Sequence, residues 1–343
     1  SEGKISSDKR IRAILPTLKI GIENKCSIIL VSHMGRPKEG RYDKQFSLKP
    51  VAEYLTQLIQ KEIRFISEWL DGFDLIEGEI VLLENIRFSE GEKDNSENLS
   101  KKLAGLCDIF VMDAFGSAHR KHASTYGVIE FSETACAGPI MREEIDSISR
   151  IHTDSKNPII AIVGGSKIST KLEVIKSLSN FVDYLILGGG IANTILKAQG
   201  KEVGRSLYEE SMLGTAKKMI EANSECQMMG ISDVLVAKEI NDDSKSEIKD
   251  INSVSSDDLI LDIGPKTSDA YGEIIKKSST VIWNGPVGVF EIDQFSHGTE
   301  RIAQAISQCG GYSVAGGGDT VSAIEKFGVT DGISYISTGG GAF

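Results

Sequence analysis

Residues 313–320, SVAGGGDT, carry the most informative pattern of functional groups in this chain. An apolar segment leads into consecutive glycines, and an aspartate and a threonine then begin a helical pattern. Glycines let an anion approach the backbone, and the helix behind them directs unpaired N–H groups at it. The Asp319 carboxylate would repel a phosphate unless a cation such as Mg²⁺ lay between them. By itself the segment fits a phosphate site and a tight turn equally well.

Other glycine-rich segments follow apolar segments in the second half, at residues 164–165, 188–190, 285–288 and 339–341. At one edge of a parallel sheet, such turns would form a binding surface for a nucleotide. None is a standard fingerprint, because residues 188–193 lack the third glycine of a dinucleotide loop and residues 164–171 lack P-loop spacing. Lys167 and Lys171 would share a face if they lay on an early helical turn. Each alone reads as a solvated lysine, but beside this surface both are candidate phosphate ligands.

The first half places cations where the second half places glycines. Histidines and arginines follow separate apolar segments, at His33, Arg36, Arg87, His119, Arg120 and His122. Any one arginine reads more readily as a surface ion pair, but their common position favours a site for a small, multiply anionic ligand. A histidine metal site is disfavoured, because His119 and His122 lack a carboxylate or cysteine co-ligand at metal spacing.

Short apolar segments alternate with helical patterns, which predicts an α/β fold of two doubly wound parallel-sheet, Rossmann-like domains. The predicted strands should be apolar throughout, because parallel strands are buried on both faces. They lie at 26–32, 79–83, 108–112, 158–163, 184–187, 234–237, 259–263, 280–283 and 312–315. Residues 47–61 predict a helix with Ser47 as N-cap and with Val51, Leu55 and Leu58 on one face. The polar residues 241–258 predict a surface loop.

A domain junction is expected midway along the chain. Gly138-Pro139 precedes a helical pattern with Met141, Ile145 and Ile148 on one face, and a polar stretch follows. We therefore expect a first domain at residues 1–138, a hinge helix and linker at 139–157, and a second domain at 158–343.

Composition narrows the classes of function. The 343 residues include 38 basic and 49 acidic side chains, and the net charge of −11 argues against general nucleic-acid or membrane binding. The cysteines are scattered without C-x-x-C spacing, which is typical of reduced thiols in the cytosol. The sequence has no signal peptide and no apolar run near the roughly 20 residues of a spanning helix. We expect a soluble, cytoplasmic, monomeric protein.

Ordered motifs along the whole chain resemble those of phosphoglycerate kinases. They are KRIRAILPT, SHMGRP, LLENIRF, DAFGSAHRKHAS, GGSKISTK, GGGIANT, LDIGP, WNGPVGVFE, GGGDT and STGGGAF. The resemblance implies that the first domain binds 3-phosphoglycerate and the second binds Mg-ADP or Mg-ATP. It also implies a hinge that closes the cleft, with the C-terminal end returning to it. The implied reaction is reversible phosphoryl transfer from 1,3-bisphosphoglycerate to ADP in glycolysis and gluconeogenesis.

The resemblance also assigns residues. It implies phosphoglycerate binding by Arg10, His33, Arg36, Arg87, Arg120 and nearby His119. It implies nucleotide binding by Lys167, Lys171, Asn284, Glu291 at the ribose, Gly317, Gly318, Asp319 and Thr320, with Mg²⁺ held by Asp319. Arg10, Lys171 and Gly340 would be catalytic, with residues 339–341 bringing backbone donors to the moving group. In the reverse direction the attacking carboxylate is already ionised, so no general base is expected, and catalysis should rest on positioning and charge neutralisation.

The sequence departs from the family pattern at both ends. It opens after the family's first strand, which carries an aspartate and an asparagine that contact substrate, and it stops before the family's C-terminal tail. We therefore expect a fragment of a longer protein. The alternative function is a catalytically impaired nucleotide-binding module of the same family. A dehydrogenase is disfavoured by the incomplete dinucleotide fingerprint.

Overall fold

The computed structural model describes residues 5, 8–154, 156–222, 225–340 and 343. The chain divides into two compact units, Ser1–Asp146 with Ala342 and Ser147–Gly341 with Phe343, here called unit 1 and unit 2. The division falls inside the segment expected to hold the junction. Within the described residues, no helix is both long enough and apolar enough to cross a membrane.

Unit 1 contains small parallel sheets and short helices. The helices are α1 (Lys9–Ala13), α2 (Leu15–Glu23), α3 (Lys49–Ile59), α4 (Glu97–Ala104), α5 (Phe115–Ala118) and α6 (Val128–Phe131). The strands are β1 (Ile28–Leu30), β2 (Arg64–Ile66), β3 (Ile80–Leu83), β4 (Ile109–Met112) and β5 (Thr134–Ala137). One sheet has the order β1-β3-β2, and β4 pairs with β5 alone. All pairs are parallel.

The core of unit 1 forms around β3, whose four residues are almost fully buried. The buried side of α3 is formed by Ala52 and Leu55. The predicted N-cap was wrong, because Leu48 occupies that position. The hydroxyl of Ser47 instead donates to Glu84 Oε2 at 2.7 Å, and the N–H of Leu48 donates to Glu84 Oε1 at 2.8 Å. A buried carboxylate thus caps this turn from a distant part of the chain.

β4 does not follow the expectation that every strand is buried on both faces. Ile109 is 57% exposed and Val111 is 41% exposed. Both side chains lie on the exposed face of β4, which belongs to a two-stranded sheet. Phe110, on the other face, packs on the hydrophobic cluster that includes Val81 and Leu83.

Unit 2 is built on a six-stranded parallel sheet of order β14-β13-β12-β6-β7-β8. Its strands are β6 (Ile159–Gly164), β7 (Tyr184–Gly188), β8 (Gln227–Met228), β12 (Thr280–Asn284), β13 (Tyr312–Ala315) and β14 (Tyr335–Ile336). The helices are α8 (Leu172–Ser179), α9 (Gly189–Ala198), α10 (Leu213–Glu221), α11 (Pro265–Lys277), α12 (His297–Ser307) and α13 (Gly318–Lys326).

Side chains of the central strands alternate between two cores. Ile160 and Ile162 of β6 pack with Tyr271 and Ile302 on one face, whereas Ala161 and Val163 pack with α8 and α9 on the other. Helices therefore cover both faces, and the α/β class with parallel sheets is confirmed.

A second sheet in unit 2 is antiparallel and was not expected. It joins β9 (Asp233–Ala237), β10 (Ser246–Asp250) and β11 (Leu259–Ile263) in the order β10-β9-β11. The prediction of a surface loop over residues 241–258 was wrong in part, because residues 246–250 form β10, an edge strand that exposes most of its residues. Such a strand is polar and gives no apolar signal. The same segment buries Ile251 and Val254.

Helix α7 (Pro139–Thr153) crosses from unit 1 into unit 2. Its predicted apolar face was wrong in part, since Ile145 is 47% exposed. The buried positions are Met141, Glu144, Ser147 and Ile151. They keep the helical period, but the middle two are polar, so hydrophobicity alone pointed to a neighbouring face.

Glycine is required where β6 ends, and we predict that Gly164→Ala lowers the stability of unit 2. A Cβ at Gly164 would lie 1.8 Å from the carbonyl oxygen of Pro286, and backbone cannot move aside easily. We expect a loss of about 3 kcal/mol or more in the free energy of unfolding. Urea unfolding followed by Trp283 fluorescence, in a Trp69→Phe background, reports on unit 2.

Gly214→Ala is the matched control, because a Cβ there meets nothing within 4 Å and Gly214 lies in α10. We expect that variant to be neutral or more stable by up to about 1 kcal/mol. Equal unfolding midpoints for the two variants would contradict the close approach at Gly164.

Candidate active-site residues

The cations of unit 1 gather around His33, which follows β1. We call Arg10, His33, Arg36, Arg87, Arg120 and His122 the cationic cluster. Burial and the positive charges of Arg87, Arg120, His122 and Arg10 together lower the pKa of His33 to about 4. Burial and the charges of Arg120 and Arg36 also lower the pKa of Arg87, against an opposing effect of Glu92. These side chains are therefore electrostatic neighbours that repel one another and favour a bound anion.

A network around Asn85 holds the loop that carries His33 and Arg36. The Asn85 amide donates to the carbonyl oxygens of Met34 at 2.8 Å and Phe46 at 2.9 Å. Its oxygen accepts the N–H of Arg87 at 3.1 Å. Gly35 has a φ of 66°, a conformation that favours glycine, and its carbonyl accepts from Arg87 Nη1. The loop and Arg87 thus fix each other.

Arg87 is the most deeply buried of the arginines, with 6% of its surface exposed. Its Nε atom is buried and has no hydrogen-bond partner in the described part of the chain. A buried N–H group without an acceptor makes the fold less stable, and a bound anion that accepts its hydrogen bond would remove that cost. Arg87 is therefore suited to hold a phosphate or carboxylate oxygen.

The histidines after β4 have different surroundings. His119 accepts a long hydrogen bond from Arg120 Nε at 3.4 Å. His122 Nδ1 lies 3.6 Å from Glu92 Oε1, and burial is the main cause of the lowered pKa of His122. Glu92 is 2% exposed and accepts the Ser124 hydroxyl at 2.6 Å. Sequence reasoning missed Glu92, because it stands in a polar stretch that looks like solvated surface.

Lys171 is the centre of the glycine loops in unit 2. Its ammonium donates to the carbonyl oxygen of Gly164 at 2.7 Å and to Asn284 Oδ1 and O at 2.6 and 3.0 Å. Burial lowers the pKa of Lys171, and the nearby charge of Asp319 opposes that shift. Lys171, Asn284 and Asp319 therefore lie together at the carboxyl ends of β6, β12 and β13.

The turn after β13 is shaped for close approach to its backbone. Gly317 has a φ of 94° and stands as N-cap of α13. The hydroxyl of Thr320, which is fully buried, accepts the N–H of Gly285 at 2.7 Å. A Cβ at Gly318 would meet nothing within 4 Å, so space above this residue is open. The first N–H groups of α13 can therefore serve an anion.

Asp319 is exposed in the first turn of α13. In the described part of the chain, no group of three or more acidic, histidine or cysteine side chains could hold a metal ion. Mg²⁺ takes oxygen ligands, usually one or two carboxylates together with substrate phosphates and water. A single carboxylate beside an anion-binding turn fits a Mg²⁺ that arrives with nucleotide phosphates.

Other predicted residues stand apart from this group. The condition under which Lys167 and Lys171 would share a helical face is not met, because they flank the 3₁₀ turn Ile168–Thr170, outside α8. Lys167 affects the pKa of Glu209, a residue that sequence reasoning missed and that accepts the Ser169 hydroxyl at 2.6 Å. Glu291 is exposed. Gly340 has a φ of 54°, and Gly341 lies outside the described residues.

A cationic cluster in one unit and glycine loops around the partly buried Lys171 in the other are the features expected of an α/β kinase of two units. The family model for phosphoglycerate kinase matches residues 1–343, and the chain belongs to the phosphoglycerate kinase family. Its function is reversible phosphoryl transfer between 1,3-bisphosphoglycerate and ADP, giving 3-phosphoglycerate and ATP in glycolysis.

Solved structures of the family resemble this chain along its whole length. Phosphoglycerate kinase from Coxiella burnetii is 46% identical with a TM-score of 0.91, and the match covers all of this chain and 88% of that one. Phosphoglycerate kinase from Pyrococcus horikoshii OT3 is 30% identical with a TM-score of 0.83, over all of this chain and 88% of that one.

The pKa of His33 provides a test of the cationic cluster. We expect a value of about 4 in an NMR titration of the imidazole, against 6.5 for an ordinary histidine. Arg120→Gln should raise this pKa because it removes a neighbouring positive charge, whereas Arg142→Gln, an exposed arginine of α7, should not. A bound anion should also raise it. A His33 pKa that Arg120→Gln leaves unchanged would contradict the cluster.

This shift also gives stability a pH dependence. Because protonated His33 is disfavoured in the fold, its contribution to stability is complete above pH 6.5. It decreases as the pH falls from 6.5 to about 4.

Proposed function

We propose that the two units divide the phosphoglycerate kinase reaction between them. The cationic cluster of unit 1, with His119, binds 3-phosphoglycerate or 1,3-bisphosphoglycerate. The glycine loops of unit 2 bind Mg-ADP or Mg-ATP through Lys171, Asn284, Gly317, Gly318, Asp319 and Thr320. Lys167, which is exposed, binds the phosphates, and Glu291 binds the ribose. The observation that carries the division is the gathering of like charges around His33, which favours a multiply anionic ligand.

The chemical step needs charge neutralisation rather than proton transfer. The carboxylate of 3-phosphoglycerate is ionised at neutral pH, so it attacks the terminal phosphorus of ATP without a general base. Negative charge spreads over the transferring oxygens, and fixed cations and N–H donors stabilise it. We assign this role to Arg10, Lys171 and the backbone at Gly340. Lys171 is held in place because its three N–H donors are used by the carbonyl oxygen of Gly164 and the two oxygens of Asn284. It therefore supplies its charge without moving, and a direct hydrogen bond to the phosphoryl group would replace one of these three.

Mg²⁺ would be held by Asp319 together with phosphate oxygens of the nucleotide. When bound, it supplies a positive charge that neutralises those oxygens. The Asp319 carboxylate would orient the bound metal, and the space above Gly318 is open to a ligand.

We also propose a cellular location, an oligomeric state and a hinge. The five cysteines form no disulfide, which supports a cytoplasmic location, where thiols stay reduced. We propose that the protein acts as a monomer. We also propose that the segment around α7 acts as the hinge, since two ligands held by different units have to meet for reaction.

Replacing Lys171 tests the nucleotide half of the proposal. In Lys171→Met we expect kcat for the reaction of ATP with 3-phosphoglycerate to fall by about 10²-fold or more, because a fixed cation is lost at the transferring phosphoryl group. The rate of ADP formation measures kcat. Lys176→Met is the control, since Lys176 lies on α8 and pairs with Glu173 at 3.1 Å. Both variants should keep cooperative thermal unfolding. Near-normal turnover in Lys171→Met would exclude the assigned role.

Replacing Asp319 tests the metal assignment. Asp319→Asn should raise the Mg²⁺ concentration for half-maximal activity by about tenfold or more, because one anionic oxygen ligand is lost. It should also lower the pKa of Lys171, which the charge of Asp319 now raises. Asp331→Asn, in the turn Thr330–Gly332, provides a control with the same charge change. An unchanged Mg²⁺ dependence would assign the metal to other ligands.

A further inference from the structure

A positively charged cavity lies at the end of unit 2 that is opposite the glycine loops. Its volume is about 370 Å³, and it is lined by Thr280 and Tyr312, the first residues of β12 and β13. The glycine loops follow the last residues of the same strands. A ligand in this cavity would therefore bind independently of the nucleotide, beyond the proposed function of either unit.

The lining of this cavity is positively charged in an acidic protein. Arg150, Lys156 and Lys276 contribute three positive charges, against one negative charge from Asp154. Arg150 and Asp154 are 3.9 Å apart and both well exposed, which is a weak pair. Among the described residues, Lys156 and Lys276 have no ion-pair partner. Their charge is therefore available to a ligand.

The cavity also offers a backbone donor and a positioned guanidinium. The N–H of Gly310 has no hydrogen-bond partner within the described residues. A Cβ at Gly310 would meet nothing within 4 Å, so the space around it is open. The Arg150 guanidinium stacks 4.8 Å from the centre of the Tyr312 ring, and the Tyr312 hydroxyl donates to the carbonyl oxygen of Ser147 at 3.3 Å. Arg150 is thus held at the cavity by its own helix.

Cations at helix ends have a simpler role, since they offset the negative end of the helix dipole. Helices α7 and α11 both end near this cavity. That role explains Arg150 and Lys276. It does not require Lys156, which lies beyond α7, or the unpaired N–H group of Gly310, which also lines the cavity.

We propose that this cavity binds a phosphate group, either as inorganic phosphate or on a small phosphorylated metabolite. Ammonium, guanidinium and backbone N–H donors together match the oxygens of a dianion. The volume falls in the range of small-molecule sites. Because Arg150 belongs to α7, which crosses between the units, the bound group would neutralise charge on that helix.

The test measures binding of radiolabelled inorganic phosphate by equilibrium dialysis at low ionic strength. Saturating Mg-ADP and 3-phosphoglycerate occupy the two substrate sites. We expect one phosphate per chain, with affinity lowered about tenfold or more in Lys276→Gln and in Lys156→Gln. The matched control is Lys277→Gln, which removes the same charge from the next position of α11 and should keep affinity within about twofold.

Two results would overturn the proposal. One is the absence of saturable phosphate binding once both substrates are bound. The other is an equal loss in Lys276→Gln and Lys277→Gln, which would assign these lysines to the helix end only. If binding is found, competition by glycerol 3-phosphate distinguishes the sources. Displacement at lower concentration than inorganic phosphate indicates a phosphorylated metabolite, and weaker displacement indicates the free ion.

Discussion

The contact of Lys171 with the ends of two neighbouring strands organises unit 2. Its ammonium reaches the carbonyl oxygen of Gly164 at the end of β6 and both oxygens of Asn284 at the end of β12. This is possible only because β6 and β12 pair in register as neighbours and because glycines let the two loops touch. The cation takes part in the fold before any ligand arrives, and it leaves its charge beside Asp319. Lys171 therefore both connects the two strand ends and places a positive charge at the proposed nucleotide site.

In unit 1 the cations lie beside one another, whereas in unit 2 the Lys171 cation is surrounded by oxygen acceptors. The arginines and histidines of unit 1 repel one another, and the depressed pKa values of His33, His122 and Arg87 record that repulsion together with burial. The Asn85 network and the buried Glu84 and Glu92 hold the loops in place despite it. The fold thus holds like charges close together, and a bound anion would lower that repulsion.

Much of the fold could be predicted from local pattern, and the failures have physical causes. Every predicted strand segment overlaps an observed strand, because these strands are short apolar runs between turns, including β9 and β11, which pair antiparallel. The edge strand β10 was missed because edge strands are polar. The buried face of α7 was predicted wrongly because Glu144 and Ser147 are buried. Ser47 is not the N-cap of α3, because its hydroxyl donates to Glu84. In each case a distant contact outweighed the local preference.

The sequence by itself determined the fold class, the family and the types of side chain that follow each strand. The periodicity of apolar residues and the glycine turns are local properties, and ten motifs in order are sufficient for the family. Only the tertiary structure decided which of these side chains are neighbours: it placed Lys171 against Asn284 and Arg87 against Gly35. It also placed Glu92 beside His122 and brought Arg150, Lys156 and Lys276 around one cavity. Those relations depend on strand order and burial, because electrostatic energies vary with distance and solvent exposure, neither of which is encoded in spacing along the chain.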